Sequence, residues 1–132
     1  MRKCRGKLKS DNGQYKKGDW VYGYYVELID GKKPIPCIYG KGEVDKSTVG
    51  EVTGLTDKNG KKIFEGDIVK VYARGYHTIC TVSWAETVAH FQLWQINTIP
   101  NTPTALNLGN YDCEVIGNIH DNPELLKGGG EE

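Results

Sequence analysis

Three histidines, four cysteines and the carboxylate pair Glu65 and Asp67 are the residues of this sequence first weighed for chemistry. His77, His90 and His120 are candidate metal ligands or general bases, but none has another His, Cys or carboxylate at a diagnostic spacing, and each falls in a strand-like stretch. Cys4, Cys37, Cys80 and Cys113 form no CxxC pair, so zinc-ribbon and finger patterns are absent and free thiols are expected. Cys80 in "TICTV" and Cys113 in "DCEVI" alternate as core residues do, which argues against a nucleophile. Glu65 and Asp67 stand two apart in a turn, where they cap backbone amides more readily than they share a proton. Asn59-Gly60 beside Lys61 and Lys62 lacks the glycine-rich loop and following helix of a phosphate site. No catalytic residue, cofactor site or metal site is therefore assigned, and an enzyme is not expected.

Binding chemistry is better represented. Residues 1–17 carry seven cations against one carboxylate, Asp11, although the whole chain balances 17 Lys and Arg with 17 Asp and Glu. Arg2, Lys3, Arg5 and Lys7, with Tyr15 and the aromatics that follow from Trp20, are a candidate nucleic-acid contact, since cations attract phosphates and rings stack on bases. The overall charge balance gives no support for a general polyanion binder. "NTIPNTPTALNLGN", residues 97–110, reads as a long loop, and Asn97, Asn101, Thr104, Asn107 and Asn110 are its candidate partner contacts.

These side chains must be positioned by strands. The 132 residues include 17 Gly and 8 Tyr, with 38% hydrophobic and 26% charged residues, a profile closer to an all-β protein than to a helical bundle. "DWVYGYYVELID" alternates Trp20, Tyr22, Tyr24, Val26 and Leu28 against Val21, Tyr25 and Ile29, and predicts a long strand covered on both faces. Pro34 and Pro36 place a short edge strand near Ile38, and polar residues 40–50, with Ser47 starting a turn, connect two halves.

In "TGLTDKNGKKIFEGDIVKV", Asn59-Gly60 predicts a type I′ hairpin turn, and Gly66-Asp67 delivers the chain into a strand over residues 68–73. Gly18-Asp19 precedes "WVYGYY" in the same way, a match too short to establish a repeat. Further strands are read at "HTICTVSWA", "VAHFQLWQI" and "CEVIGNIH". "DNPELL" offers Asn122 as a cap with Pro123 in one helical turn, and "KGGGEE" has nothing to bury. The fold expected is mostly β, one or two small antiparallel barrel-like domains with short hairpins and a single short C-terminal helical turn. Its parts are residues 1–50, residues 51–126 and a disordered tail at 127–132. Gly18, Asp19, Asn59, Gly60, Gly66 and Asp67 are read as structural turns.

"TVGEVTGLTDKNGKKIFEGDIVKV" and "EVIGNIHDNPELL", with "CRGKL" and "GDWVYGYYVEL" before them in order, resemble the YopX family of phage and prophage proteins. Cys4 stands where an aromatic is commoner in that family. The resemblance implies a small, mostly β protein from a phage or prophage and brings no assigned activity or catalytic residue. No apolar run approaches the roughly 20 residues of a membrane span, and the N-terminus holds no apolar stretch fit for a signal peptide, so a bacterial cytoplasm is the expected setting. The expected function is a non-catalytic interaction or self-assembling module, partnered by itself or by a host or phage protein. The alternative is nucleic-acid binding through the basic N-terminal stretch, and neither reading involves a membrane or a metal.

Overall fold

A computed structural model describes residues 2–73, 76–85, 90–95, 105–107 and 112–126. Strands dominate, every strand pairing among these residues is antiparallel, and the helical content is confined to 3₁₀ turns. The chain divides into two compact units, residues 1–52 and 53–132.

The first unit is built on β1 (Lys3–Lys7), β2 (Trp20–Ile29), β3 (Pro34–Ile38) and β4 (Gly42–Glu43), completed by the start of β5 (Gly50–Thr56), in the order β4-β3-β2-β1-β5. One face carries the core: Cys4, Leu8, Val21, Ile38 and Val44 are all buried, with Tyr15, Tyr25 and Val49 packed around them. Residues 40–50 are more than a connection. They contain β4 and a 3₁₀ turn over Lys46–Thr48, whose cap is Asp45 rather than Ser47: its carboxylate accepts from the Ser47 amide at 3.0 Å and the Ser47 hydroxyl at 2.8 Å. Thr48 then accepts the Lys7 amide at 2.9 Å, so the turn is tied to β1.

In the second unit, β6 (Lys62–Phe64) follows the later half of β5, and a sheet of order β10-β9-β8-β7-β11 is formed by β7 (Asp67–Ala73), β8 (Tyr76–Ala85), β9 (His90–Gln95), β10 (Ala105–Asn107) and β11 (Asp112–Asn118). Ile63, Val69, Val71, Cys80, Val82 and Leu93 are buried together at its centre, with Cys113 beside them. The loop expected over 97–110 is interrupted by β10, where Asn107 pairs with Gln92 of β9. Asn97, Asn101, Thr104 and Asn110 lie outside the described residues, as does the tail at 127–132.

Three local expectations are corrected. The turn at "TDKNGK" is not a type I′ turn centred on Asn59-Gly60, because the Gly60 amide bonds the Asp57 carbonyl at 3.0 Å and so places Lys58 and Asn59 at its centre. A buried side chain causes the shift. One Asp57 oxygen accepts the amides of Asn59 and Lys61, both at 2.9 Å, and the other accepts that of Val115 on β11 at 2.9 Å. Lys58 also donates its amide to the Cys113 carbonyl at 2.9 Å, so this turn occupies part of β11, an edge strand that would otherwise offer bare amides. At the end of β11 the alternation expected to run to His120 breaks at a register shift between Val115 and Gly117. Asn122 does not cap the 3₁₀ turn Pro123–Leu126 through its side chain; Oδ1 reaches back to the Asn118 amide at 3.1 Å, while its carbonyl accepts from Leu125 at 3.0 Å.

Candidate functional site

Residues 3–7 alternate charged and small or apolar side chains, Lys3, Arg5 and Lys7 against Cys4 and Gly6, and this period of two makes them a strand. Its register with β2 sets Lys3 opposite Tyr24, Arg5 opposite Tyr22 and Lys7 opposite Trp20. Directly opposed residues share a face, so three cations stand in a row beside three aromatic rings. Cys4, Gly6 and Val21 take the other face, toward the core.

Contacts within the row follow from this register. The Lys3 ammonium lies 5.8 Å from the Tyr24 ring centre, the Lys7 ammonium 5.4 Å from that of Trp20, and the Arg5 guanidinium 4.7 Å from Trp20. Arg5 is only 6% exposed even though it belongs to the outer row. Tyr22 and Tyr24 remain 51% and 42% exposed, and Leu28, further along the same face, 54%. The sequence reading of β2 as covered on both faces is thereby corrected: Val21 and Tyr25 line the core side, while the Trp20, Tyr22 and Tyr24 side meets solvent. Tyr39, 71% exposed, stands just beyond β3 with its amide bonded to the Tyr24 carbonyl at 2.8 Å.

The other two residues of the candidate nucleic-acid set lie elsewhere. Arg2 pairs with Glu51 at 3.3 Å and lies 5.9 Å from the Tyr25 ring, beside a shallow depression that it lines with Tyr25, Glu27, Lys46 and Val49. There the Tyr25 hydroxyl donates to Glu27 at 2.6 Å and Lys46 approaches the same oxygen at 3.3 Å. Burial first, then that hydrogen bond, pushes the Tyr25 hydroxyl up to about 12, and the Tyr25 and Lys46 donors hold the Glu27 carboxyl below the usual range. Tyr15 packs against the first core, with Lys41 over its ring at 5.4 Å. Lys3, Arg5 and Lys7 are thus brought together, and Arg2 and Tyr15 are not part of their row.

The chemical candidates fall into structural places. All four cysteines are free and buried. Burial pushes the Cys80 thiol up to about 12 and Cys113 up to about 11, far from the thiolate a nucleophile needs. His77 is exposed on β8 and His120 is half-buried in the turn after β11; of His90 only the backbone is described. Among the described residues no three His, Cys, Asp or Glu side chains gather closely enough to hold a metal ion. Asp67 is 1% exposed and accepts the Phe64 amide at 2.7 Å, the turn role expected for it. No described helix is long and apolar enough to cross a membrane.

Sequence reasoning missed two things here. The strand character of residues 3–7 has a signal, the alternation of Lys3, Arg5 and Lys7, which a reading of the stretch as a basic nucleic-acid contact passes over. Exposure of the aromatic face had none, because alternating aromatics look the same whether they face a core or water.

The family model described as YopX protein matches residues 8–127, most of the chain. No curated protein matches it by sequence.

Proposed function

The chain belongs to the YopX family, and from that premise we propose that it is a phage or prophage protein that acts as a non-catalytic binding module in the bacterial cytoplasm. Its first unit holds nucleic acid on the outer face of the sheet. The observation that carries this reading is the register of β1 on β2, which aligns Lys3, Arg5 and Lys7 with Tyr24, Tyr22 and Trp20. A charged row beside a ring row offers a nucleic acid both of its requirements, cations for the backbone and flat apolar faces for the bases.

Titration of the purified protein with mixed-sequence RNA and DNA tests the reading. Two phosphates held by Lys3 and Lys7 predict a loss in affinity of about sevenfold for a single strand or about twelvefold for duplex DNA between about 50 and 200 mM salt, and a much flatter dependence for the Lys3→Ser/Lys7→Ser variant. Absence of binding at about 50 mM salt would set the reading aside.

A second reading, self-association, has one specific observation behind it. Leu28 and Ile29, at the end of β2, are 54% and 82% exposed, and exposed apolar side chains at a strand end invite pairing with another copy. Light scattering over a range of concentrations should then show a dimer or higher assembly that Leu28→Ser/Ile29→Ser returns to monomer. A mass that stays monomeric at every concentration would exclude it.

A further inference from the structure

β2 outruns its neighbour on one side. The register of β1 ends at Lys3 opposite Tyr24, and the next bond across that seam runs from the Tyr25 amide to the Arg2 carbonyl at 3.0 Å. Beyond it, residues 26–29 pair with β3 alone among the described residues. We infer that this overhang is a dimerisation edge, which takes the same four residues of a second copy as an added antiparallel strand, with Leu28 facing Leu28 at the centre. The inference rests on the self-association reading given above and supplies its register.

Hydrogen-bond direction carries the argument. Successive residues of a paired strand turn their amide and carbonyl to opposite sides. Tyr24 gives its carbonyl to the Tyr39 amide at 2.8 Å, on the β3 side, whereas Tyr25 turns its amide to the β1 side. Glu27 and Ile29 therefore face the β1 side as well, past the point where β1 stops, and each presents a donor and an acceptor there. The far edge of the same hairpin is built differently. In β3, Cys37 and Ile35 oppose Val26 and Leu28, which leaves Pro34 and Pro36 at the positions turned away from β2, and proline has no amide to offer. The Pro36 carbonyl is taken by the Val44 amide at 3.0 Å. One edge of the hairpin is stripped of donors, and the other keeps them.

Few registers let two copies of so short an edge bond each other. A two-fold axis through Leu28 sets Glu27 of each copy against Ile29 of the other, and each pair exchanges two main-chain bonds. An axis through Glu27 would oppose two carboxylates and would need the Tyr25 amide, which β1 already holds. An axis through Ile29 would draw in Gly31, whose φ of 92° takes it out of the strand. The axis through Leu28 is the one that uses every free group and opposes no like charges.

Side chains fit that arrangement. The two Leu28 residues form a narrow pair with Cα atoms about 4.5 Å apart, and each is 54% exposed in the single chain. Ile29 of the second copy arrives beside Glu27, on the face of Tyr25. There Arg2, Tyr25, Glu27, Lys46 and Val49 line the depression, of about 270 Å³, which gives the 82% exposed isoleucine an aromatic ring and a valine to pack on. The turn at Gly31 leads the second copy out of line before it reaches Arg2. Four main-chain bonds and these contacts make a small interface, so the dimer is weak and depends on concentration.

Cross-linking at single introduced cysteines in the full chain reads the register, because all four native cysteines are buried. Leu28→Cys places two thiols within disulfide reach, whereas the two copies of Ile29→Cys lie out of register, beyond about 7 Å. Oxidation with diamide should give at least about tenfold more covalent dimer for Leu28→Cys than for Ile29→Cys, and none for the parent chain. Ile29→Pro removes a donor from the open edge without touching a bond to β3. It should keep the chain monomeric in sedimentation velocity at concentrations where the parent dimerises, with an unchanged urea midpoint. Should Ile29→Pro fail to fold, the cross-linking comparison decides alone.

A parent dimer that Leu28→Cys does not trap, that Ile29→Cys traps equally, or that a folded Ile29→Pro leaves intact would overturn this register and leave the broader self-association reading standing. A chain that stays monomeric at every concentration and gives no Leu28→Cys cross-link would overturn both.

Discussion

The chain enters a strand twice through the same dipeptide, at Gly18-Asp19 before β2 and at Gly66-Asp67 before β7. The two turns share local geometry. Gly18 and Gly66 have φ of 90° and 94°, a left-handed backbone that side chains resist. Each aspartate accepts the amide three residues before it through Oδ2, Lys16 to Asp19 at 3.0 Å and Phe64 to Asp67 at 2.7 Å. Each glycine also donates its own amide to a backbone carbonyl at 2.9 Å, Leu8 for Gly18 and Val82 for Gly66. Their surroundings differ: Asp19 is exposed, whereas Asp67 is 1% exposed. Two residues suffice to specify the shape of the turn, and the surroundings set how much energy depends on it. An amide released from Asp19 can bond water, while one released from Asp67 stays buried.

Substitutions that separate shape from burial break or sharpen this comparison. Asp57 is the strongest, as a buried aspartate with three amides and no neighbouring glycine of this kind. Asp57→Ala should cost about 4 kcal/mol in urea denaturation at neutral pH, since it strands the amides of Asn59, Lys61 and Val115.

That cost should depend on acidity. Burial alone would raise the Asp57 carboxyl, but the amides of Val115, Lys61 and Asn59 and the nearby Lys61 charge outweigh it and hold it below the usual aspartate range. A depressed folded value means the stabilisation is complete above the ordinary range near pH 4 and disappears as pH falls through the folded value. The gap between the parent protein and Asp57→Ala should therefore narrow on acidification below about pH 4; a gap constant from pH 7 to pH 3 would contradict the assignment.

Asp67→Ala comes next, at about 3 kcal/mol, for one charged hydrogen bond lost in a site closed to water. Gly66→Ala and Gly18→Ala test shape directly. Both force a left-handed residue, so each should cost about 1–2 kcal/mol, with Gly66, which is buried, at the upper end. Asp19→Ala should be the mildest, about 0.5–1 kcal/mol. Equal losses at Asp19 and Asp67 would mean that burial does not separate the two turns.

The turns were legible because the aspartate hydrogen bonds that shape them close within three residues. The same holds for the strand from Asp67 to Ala73 and for the burial of Cys80 and Cys113, which alternation alone placed in the core. Where one long-range bond intervened, local reading failed. Asp57 reaches Val115, 58 residues away, and the hairpin turn centres on Lys58-Asn59 to satisfy it, not on the residue pair that turn preference favours. β10 was missed at Ala105–Asn107 because three residues carry too little pattern to announce a strand, and their pairing partner on β9 supplies the rest.

The candidate site divides along the same line. Sequence alone determined the alternation that places Lys3, Arg5 and Lys7 on one side of a strand, and likewise Trp20, Tyr22 and Tyr24, because side-chain direction in an extended chain has a period of two wherever the chain goes. Only the tertiary structure decided that the two rows are neighbours, that Arg2 and Tyr15 stand apart from them, and that the rings face water. Register between strands is fixed by cross-strand hydrogen bonds and by which face finds a core, and those partners come from segments that no local pattern identifies.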